Sequence, residues 1–131
     1  MIFLENIFEK FDSGKLLLPQ SETRFAELEW HAHPTFEGVW LKHIVTSETT
    51  GGEFSCHLVR VEPGRKIGVH AHEKQLEIHE VVGGSGVCVN GGAALDYAPG
   101  VVSIMRAGML HKVTAGVDGL YLFAKFIPAL C

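Results

Sequence analysis

The sequence is poor in the features that announce many partners. Its 11 lysines and arginines are scattered and outnumbered by 15 aspartates and glutamates, giving a formal net charge of −4. A nucleic-acid partner needs a positive footprint against phosphate, so none is expected. No apolar run approaches the ~18–20 residues of a membrane-spanning helix. The opening residues carry Glu5, Glu9 and Lys10, without the basic start, apolar stretch and small-residue cleavage site of a secretory leader. A cytoplasmic protein is therefore expected. Cysteine is scarce and odd in number: Cys56, Cys88 and Cys131 show no Cys-x-x-Cys spacing. They suggest neither a disulfide framework nor a thiolate zinc knuckle. Cys56 and Cys88 lie in apolar runs and read as buried free thiols. Low-complexity segments, linkers and solenoid-period repeats are also missing.

What remains is an ordinary globular composition, 47% hydrophobic and 20% charged over 131 residues, which suits one domain. Helical signal is confined to Ile2 to Phe11, where Phe3, Ile7, Phe8 and Phe11 recur at near-helical spacing before Asp12-Ser13-Gly14 stops them. From residue 22 the chain reads as short strands: 23–30, 38–46, 54–61, 67–72, 76–82, 86–90, 101–105, 111–115 and 120–127. Many of the 15 glycines fall between them. Short strands with regular turn punctuation predict an all-β sandwich or barrel.

Eight histidines are many for this length. His70 and His72 stand two apart on a predicted strand, so period-two geometry puts both imidazoles on one face. On the next strand Glu77, His79 and Val81 share one face and Glu80 the other. An inward Glu77 meets the histidine pair across the hairpin. His111 opens a later strand and supplies a fourth candidate ligand. Three imidazoles and one carboxylate suit a divalent Fe, Mn, Ni, Cu or Zn ion. The earlier pair, His31-Ala32-His33, is interrupted by Pro34 and is not expected to bind metal.

The glycine frame around these residues carries a resemblance. Gly64-x5-His70-x-His72-x4-Glu77-x6-Gly84 resembles the first motif of the cupin superfamily at every defined position. The second motif is partial: Gly100, Gly108 and His111 match, while Arg106 stands in place of a proline and Ala115 in place of an asparagine. The resemblance implies a double-stranded β-helix, or jelly-roll barrel, open at one end. It implies metal ligands at His70, His72 and Glu77 from the first motif and at His111 from the second. Residues 1–22 are then an N-terminal extension, helical in part, and residues 23–128 the barrel domain. Gly64, Gly84 and Gly100 are expected at turns that need positive φ.

Other residues carry open alternatives. His79 is a hydrogen-bond partner behind the ligands, a catalytic acid/base facing substrate, or a histidine without chemistry. His43 and His57 read as core or interface histidines more than pocket liners. Arg106 is a candidate clamp for a substrate carboxylate, though a surface position is the plainer expectation. Glu27, Glu29 and Arg60 read as solvated charges, and Trp30, Trp40, Phe54 and Tyr121 as core or pocket wall.

Two function classes follow. One is a metal-dependent enzyme on a small molecule that chelates through oxygen, of dioxygenase or isomerase/lyase type. The other is a non-catalytic module binding a sugar or organic acid. The fold does not choose between them. The apolar outer face formed by Leu76, Ile78 and Val82, with the apolar N-terminal segment, leads to an expected homodimer.

Overall fold

The computed structural model describes residues 7–131. In chain order the elements are α1 (Ile7–Asp12), β1 (Lys15–Leu18), β2 (Ser21–Arg24), β3 (His31–Ala32), β4 (Val39–Val45), α2 (Ser47–Thr50), β5 (Ser55–Val61), β6 (Lys66–His70), β7 (Leu76–Asn90), β8 (Ala93–Tyr97), β9 (Val102–Met105) and β10 (His111–Ile127). β1 and β2 form a separate antiparallel hairpin that runs across position 22. All other strands belong to one antiparallel system ordered β3-β4-β5-β10-β7-β8, with β6 on β10 and β9 on β7.

Two long strands turn this system into a barrel. The 120–127 half of β10 pairs with β5 and with the 76–84 part of β7. Its 111–115 half pairs with β6 and with the 86–90 part of β7. The sequence predicts separate strands 76–82 and 86–90, and 111–115 and 120–127. The structure corrects this: each pair is one bent strand. The glycines between them bend each strand, the register between β7 and β10 shifts from Ala115 to Leu120, and no turn forms. Gly84 has φ +73°, and a Cβ there would collide with the Gly119 carbonyl of the neighbouring strand. Only a residue without a side chain lets the two backbones cross so closely.

Alternation then sorts the side chains. Val39, Val59, Val61 and Leu122 point into the barrel and form its core with Val81 and Phe126. Ile44, Cys56 and Leu58 point outward and are covered by Phe8 of α1 and by Phe25. Phe8 lies 4.4 Å from the Tyr121 ring and Phe11 5.3 Å from Phe123, centroid to centroid. Burying Phe8 contributes about 1.5–3 kcal/mol to holding α1 in place. The described part of the N-terminal segment therefore covers its own barrel. Ile2, Phe3 and Leu4, which the sequence reading also assigns to the helix, lie outside the described residues. Cys56 and Cys88 are buried free thiols, as expected.

Three local expectations are corrected. The 23–30 stretch is only the end of β2 followed by a 3-10 turn at Phe25–Glu27. β1 and β8 are strands that the sequence reading lacks; β1 is flanked by turns and β8 is mostly exposed, so neither carries a clean apolar alternation. β6 ends at His70, so His72 is held by the loop beyond it.

Candidate metal centre

β6, the loop after it, β7 and β10 converge at one end of the barrel. His111 sits opposite His70 on one side and Asn90 on the other. Glu77 lies on the inner face of β7, opposite Phe126 of β10. Pairing is continuous from Leu76 to Val81, so no bulge reverses the register and Glu77, His79 and Val81 all point inward. Glu80 points the other way and pairs with Lys125.

His70, His72, Glu77 and His111 each bring one ligand atom to a common point, all within 4.8 Å of one another. The tautomers are set from behind. His70 Nδ1 donates to the Gly68 carbonyl at 2.7 Å, and His111 Nδ1 to the Met109 carbonyl at 3.0 Å. Neutral rings so anchored turn bare Nε2 lone pairs to the centre. Glu77 Oε1 and His111 Nε2 stand 3.0 Å apart, both buried and neither with a hydrogen-bond partner. Two acceptors facing each other out of water are unfavourable unless a cation or proton lies between them. The donor set and this pair of orphaned atoms fit a divalent transition metal.

Burial alone would raise the Glu77 carboxyl, yet a proton between it and His111 in place of a metal, together with the His79 imidazole, holds it well below the usual carboxylate range and, against burial, raises His111. Burial lowers His70 and His72, which favours the neutral form that ligates. Behind the ligands, His79 Nε2 donates to Glu77 Oε2 at 2.7 Å. Its Nδ1 then accepts from the Tyr97 hydroxyl at 2.9 Å. Both nitrogens of His79 are engaged, which sets the ring against the Glu77 carboxylate at the edge of the cavity. His79→Ala is expected to leave a metal site with affinity reduced about 10–100-fold. A competition titration against a chelating dye checks it, and unchanged affinity would remove this role.

The centre opens on a cavity of about 80 Å³. Its walls include Leu41, Val59, Ile67, Leu122 and Leu130. His33, set aside in the sequence reading, also lines it. His33 Nδ1 accepts from the backbone N–H groups of Thr35 and Phe36 at 3.1 and 3.2 Å, so the neutral ring carries its proton on Nε2. No local pattern signals this residue, because the 31–38 segment reaches the cavity only through the pairing of β3 with β4. Arg106 is exposed and away from the cavity, as are Glu27 and Glu29. Arg60 lies on the outer side against Trp30 and Trp40. Trp30, Phe54 and Tyr121 pack in the outer core.

A predicted oxalate decarboxylase from Thermotoga maritima superposes with TM-score 0.71 at 23% identity, over 80% of this chain and 96% of that one. A cupin-2 domain from Rhodospirillum rubrum gives 0.71 at 18% identity, over 82% and 74%. The chain has the cupin fold. Ectoine synthase from P. lautus shares the cupin architecture more distantly, with TM-score 0.65 at 17% identity over 72% of this chain and 67% of that one. No protein-family model matches the sequence, and no curated protein matches it. Among the described residues no helix is long and apolar enough to cross a membrane.

His57 bears on stability in the same barrel. Burial first, then the neighbouring His43, lowers its pKa from 6.5 to about 4. The unfolded chain thus binds a proton at this residue that the folded chain does not, between about pH 6.5 and 4. Stability is full above the unfolded value and falls as pH drops through that window. In the presence of a chelator, denaturant titrations from pH 7 to 4 are expected to show this loss. They should show a shallower slope for His57→Gln, and an unchanged slope would refute the assignment.

Proposed function

We propose that this cupin is a metal-dependent enzyme acting on a small molecule that chelates through oxygen, with Fe(II)-dependent dioxygenase chemistry as the leading form. The observation that carries the reading is the three-histidine, one-glutamate cluster opening on a cavity of about 80 Å³ with largely apolar walls. Drug-sized ligands occupy pockets of about 300–1,000 Å³, so a compact keto acid or diketone suits this one better than a sugar. An Fe(II) ion would supply O2 activation, whereas Mn, Ni or Zn would supply Lewis-acid polarisation for isomerase or lyase chemistry.

The protein's own groups support the first form. Isomerase chemistry needs an acid or base free to move a proton at the substrate. His79 is committed to Glu77 and Tyr97, which leaves His33, with its Nε2–H free, among the polar groups lining the cavity. It would orient a substrate oxygen by donating a hydrogen bond, while Leu41, Val59 and Leu130 keep water out.

Protein purified without a polyhistidine tag should carry iron and consume O2 on addition of small diketones or keto acids. Turnover without O2 uptake would move the assignment to isomerase or lyase. Ligand-dependent melting shifts without turnover would make the protein a binding module. Three free cysteines are consistent with a reducing cytoplasm.

A homodimer is part of the reading. Val102 and Ile104 of β9 are 62% and 55% exposed, and Ile104 lies opposite half-buried Ile78 on the outer face. A stripe of this kind is commonly covered by a partner. Light scattering at micromolar concentration should return twice the chain mass, and Ile104→Lys should return a monomer. A native monomer would remove the proposal.

A further inference from the structure

A second group of metal-ligating side chains lies in the same barrel, apart from the first. His43 on β4 and His57 on β5 are direct cross-strand partners on the inner face. Their Nδ1 atoms approach to 2.7 Å. Cys131 Sγ lies 3.8 Å from His43 Nδ1, and all three ligand atoms fall within 4.8 Å of one another. The ring of Phe126 separates this group from the first, with its centroid 5.6 Å from His57 and 5.0 Å from His72.

The surroundings hold these side chains in place. The segment carrying the cysteine is tied to the β4–β5 connection and to the first residue of β5 by three hydrogen bonds. Ala129 N–H donates to the Gly52 carbonyl at 3.0 Å and Leu130 N–H to Ser55 Oγ at 2.8 Å. Ser47 N–H donates to the Cys131 carbonyl at 2.7 Å. The same Ser55 hydroxyl lies 2.9 Å from His57 Nε2. When Nε2–H donates to that oxygen, His57 Nδ1 is left as a lone pair facing His43 and Cys131. This is the way a metal-bound histidine is commonly oriented. His31 stacks on His43 with the ring centroids 5.0 Å apart.

We propose that His43, His57 and Cys131 form a second metal site that takes a thiophilic d10 cation, Zn(II) or Cu(I). Two imidazoles and a thiolate are ligands of that softness, unlike the oxygen-bearing first centre. Binding expels the thiol proton of Cys131 and moves the proton shared by the two Nδ1 atoms to His43 Nε2. The two rings then part by roughly 0.6 Å, to the nitrogen separation of a tetrahedral ion with bonds of about 2.0–2.1 Å. Zn(II) would accept water or a small anion as a fourth ligand; Cu(I) would need none.

Co(II) is the probe, as a spectroscopic stand-in for Zn(II), because a thiolate ligand gives a near-ultraviolet charge-transfer band that histidine and carboxylate do not. The full chain is expected to take up two Co(II) per molecule and to show the band. Cys131→Ser, at an exposed position, should lose the band and one equivalent of metal while melting as the native chain does. His72→Ala should lose the other equivalent and keep the band; if it does not fold, Glu77→Gln serves the same purpose. Failure of the first centre to bind metal leaves the band intact, so the two sites are judged separately. Absence of the band, its survival in Cys131→Ser, or equal stoichiometry in the native and Cys131→Ser chains would each overturn the second site.

Discussion

Replacing His111 with alanine is expected to lower affinity for the divalent metal by more than about 100-fold while the barrel stays folded. Losing a group behind a ligand already costs about 10–100-fold, and this change removes the ligand itself. His111 Nε2 faces the orphaned Glu77 Oε1 at 3.0 Å, so its loss also leaves that oxygen buried without a counterpart. Glu77→Gln should act in the same direction. Glu80→Gln should change little, because that carboxylate points outward and pairs with Lys125. Elemental analysis of untagged protein and competition titrations with a chelator measure all three. A His111→Ala chain with native affinity would sink the assignment of the centre. So would a native chain that retains no Fe, Mn, Ni or Zn offered anaerobically.

The second large effect concerns the bend of β7. Gly84→Ala is expected to destabilise the fold by at least about 4 kcal/mol, in the range of severe backbone and packing mutations. Its φ of +73° is only part of the reason. Gly64 has nearly the same φ, +72°, but a Cβ there meets nothing within 4 Å. Gly64→Ala should therefore cost only the left-handed penalty of about 1–2 kcal/mol. At Gly84 the new methyl meets the Gly119 carbonyl, in backbone that cannot swing aside. Urea unfolding of the two variants separates the terms. Equal costs would show that close approach of the strands is not what fixes this glycine.

Local pattern carried much of this far. The strands at 39–45 and 55–61 match expected runs of 38–46 and 54–61, because both runs are rich in β-branched and other apolar residues and are set apart by turn residues. Strand alternation put Glu77 and His79 together and Glu80 opposite. Continuity of β7 and β10 was not legible. A glycine pair looks the same in sequence whether it reverses the chain or bends it, and only pairing with another strand tells them apart. His72 was expected on a strand and is found in a loop, where it nevertheless reaches the centre.

The sequence by itself determined the ligand types, their order and the glycine frame around them, since these follow from spacing along one or two adjacent strands. Tertiary structure alone decided what depends on register between distant segments. It brought His33 to the cavity, limited that cavity to about 80 Å³, engaged both nitrogens of His79, and set Cys131 beside His43 across 88 positions of chain. The physical reason is that side-chain period is a local property of a strand, whereas the neighbours of a strand are chosen by closure of the whole barrel.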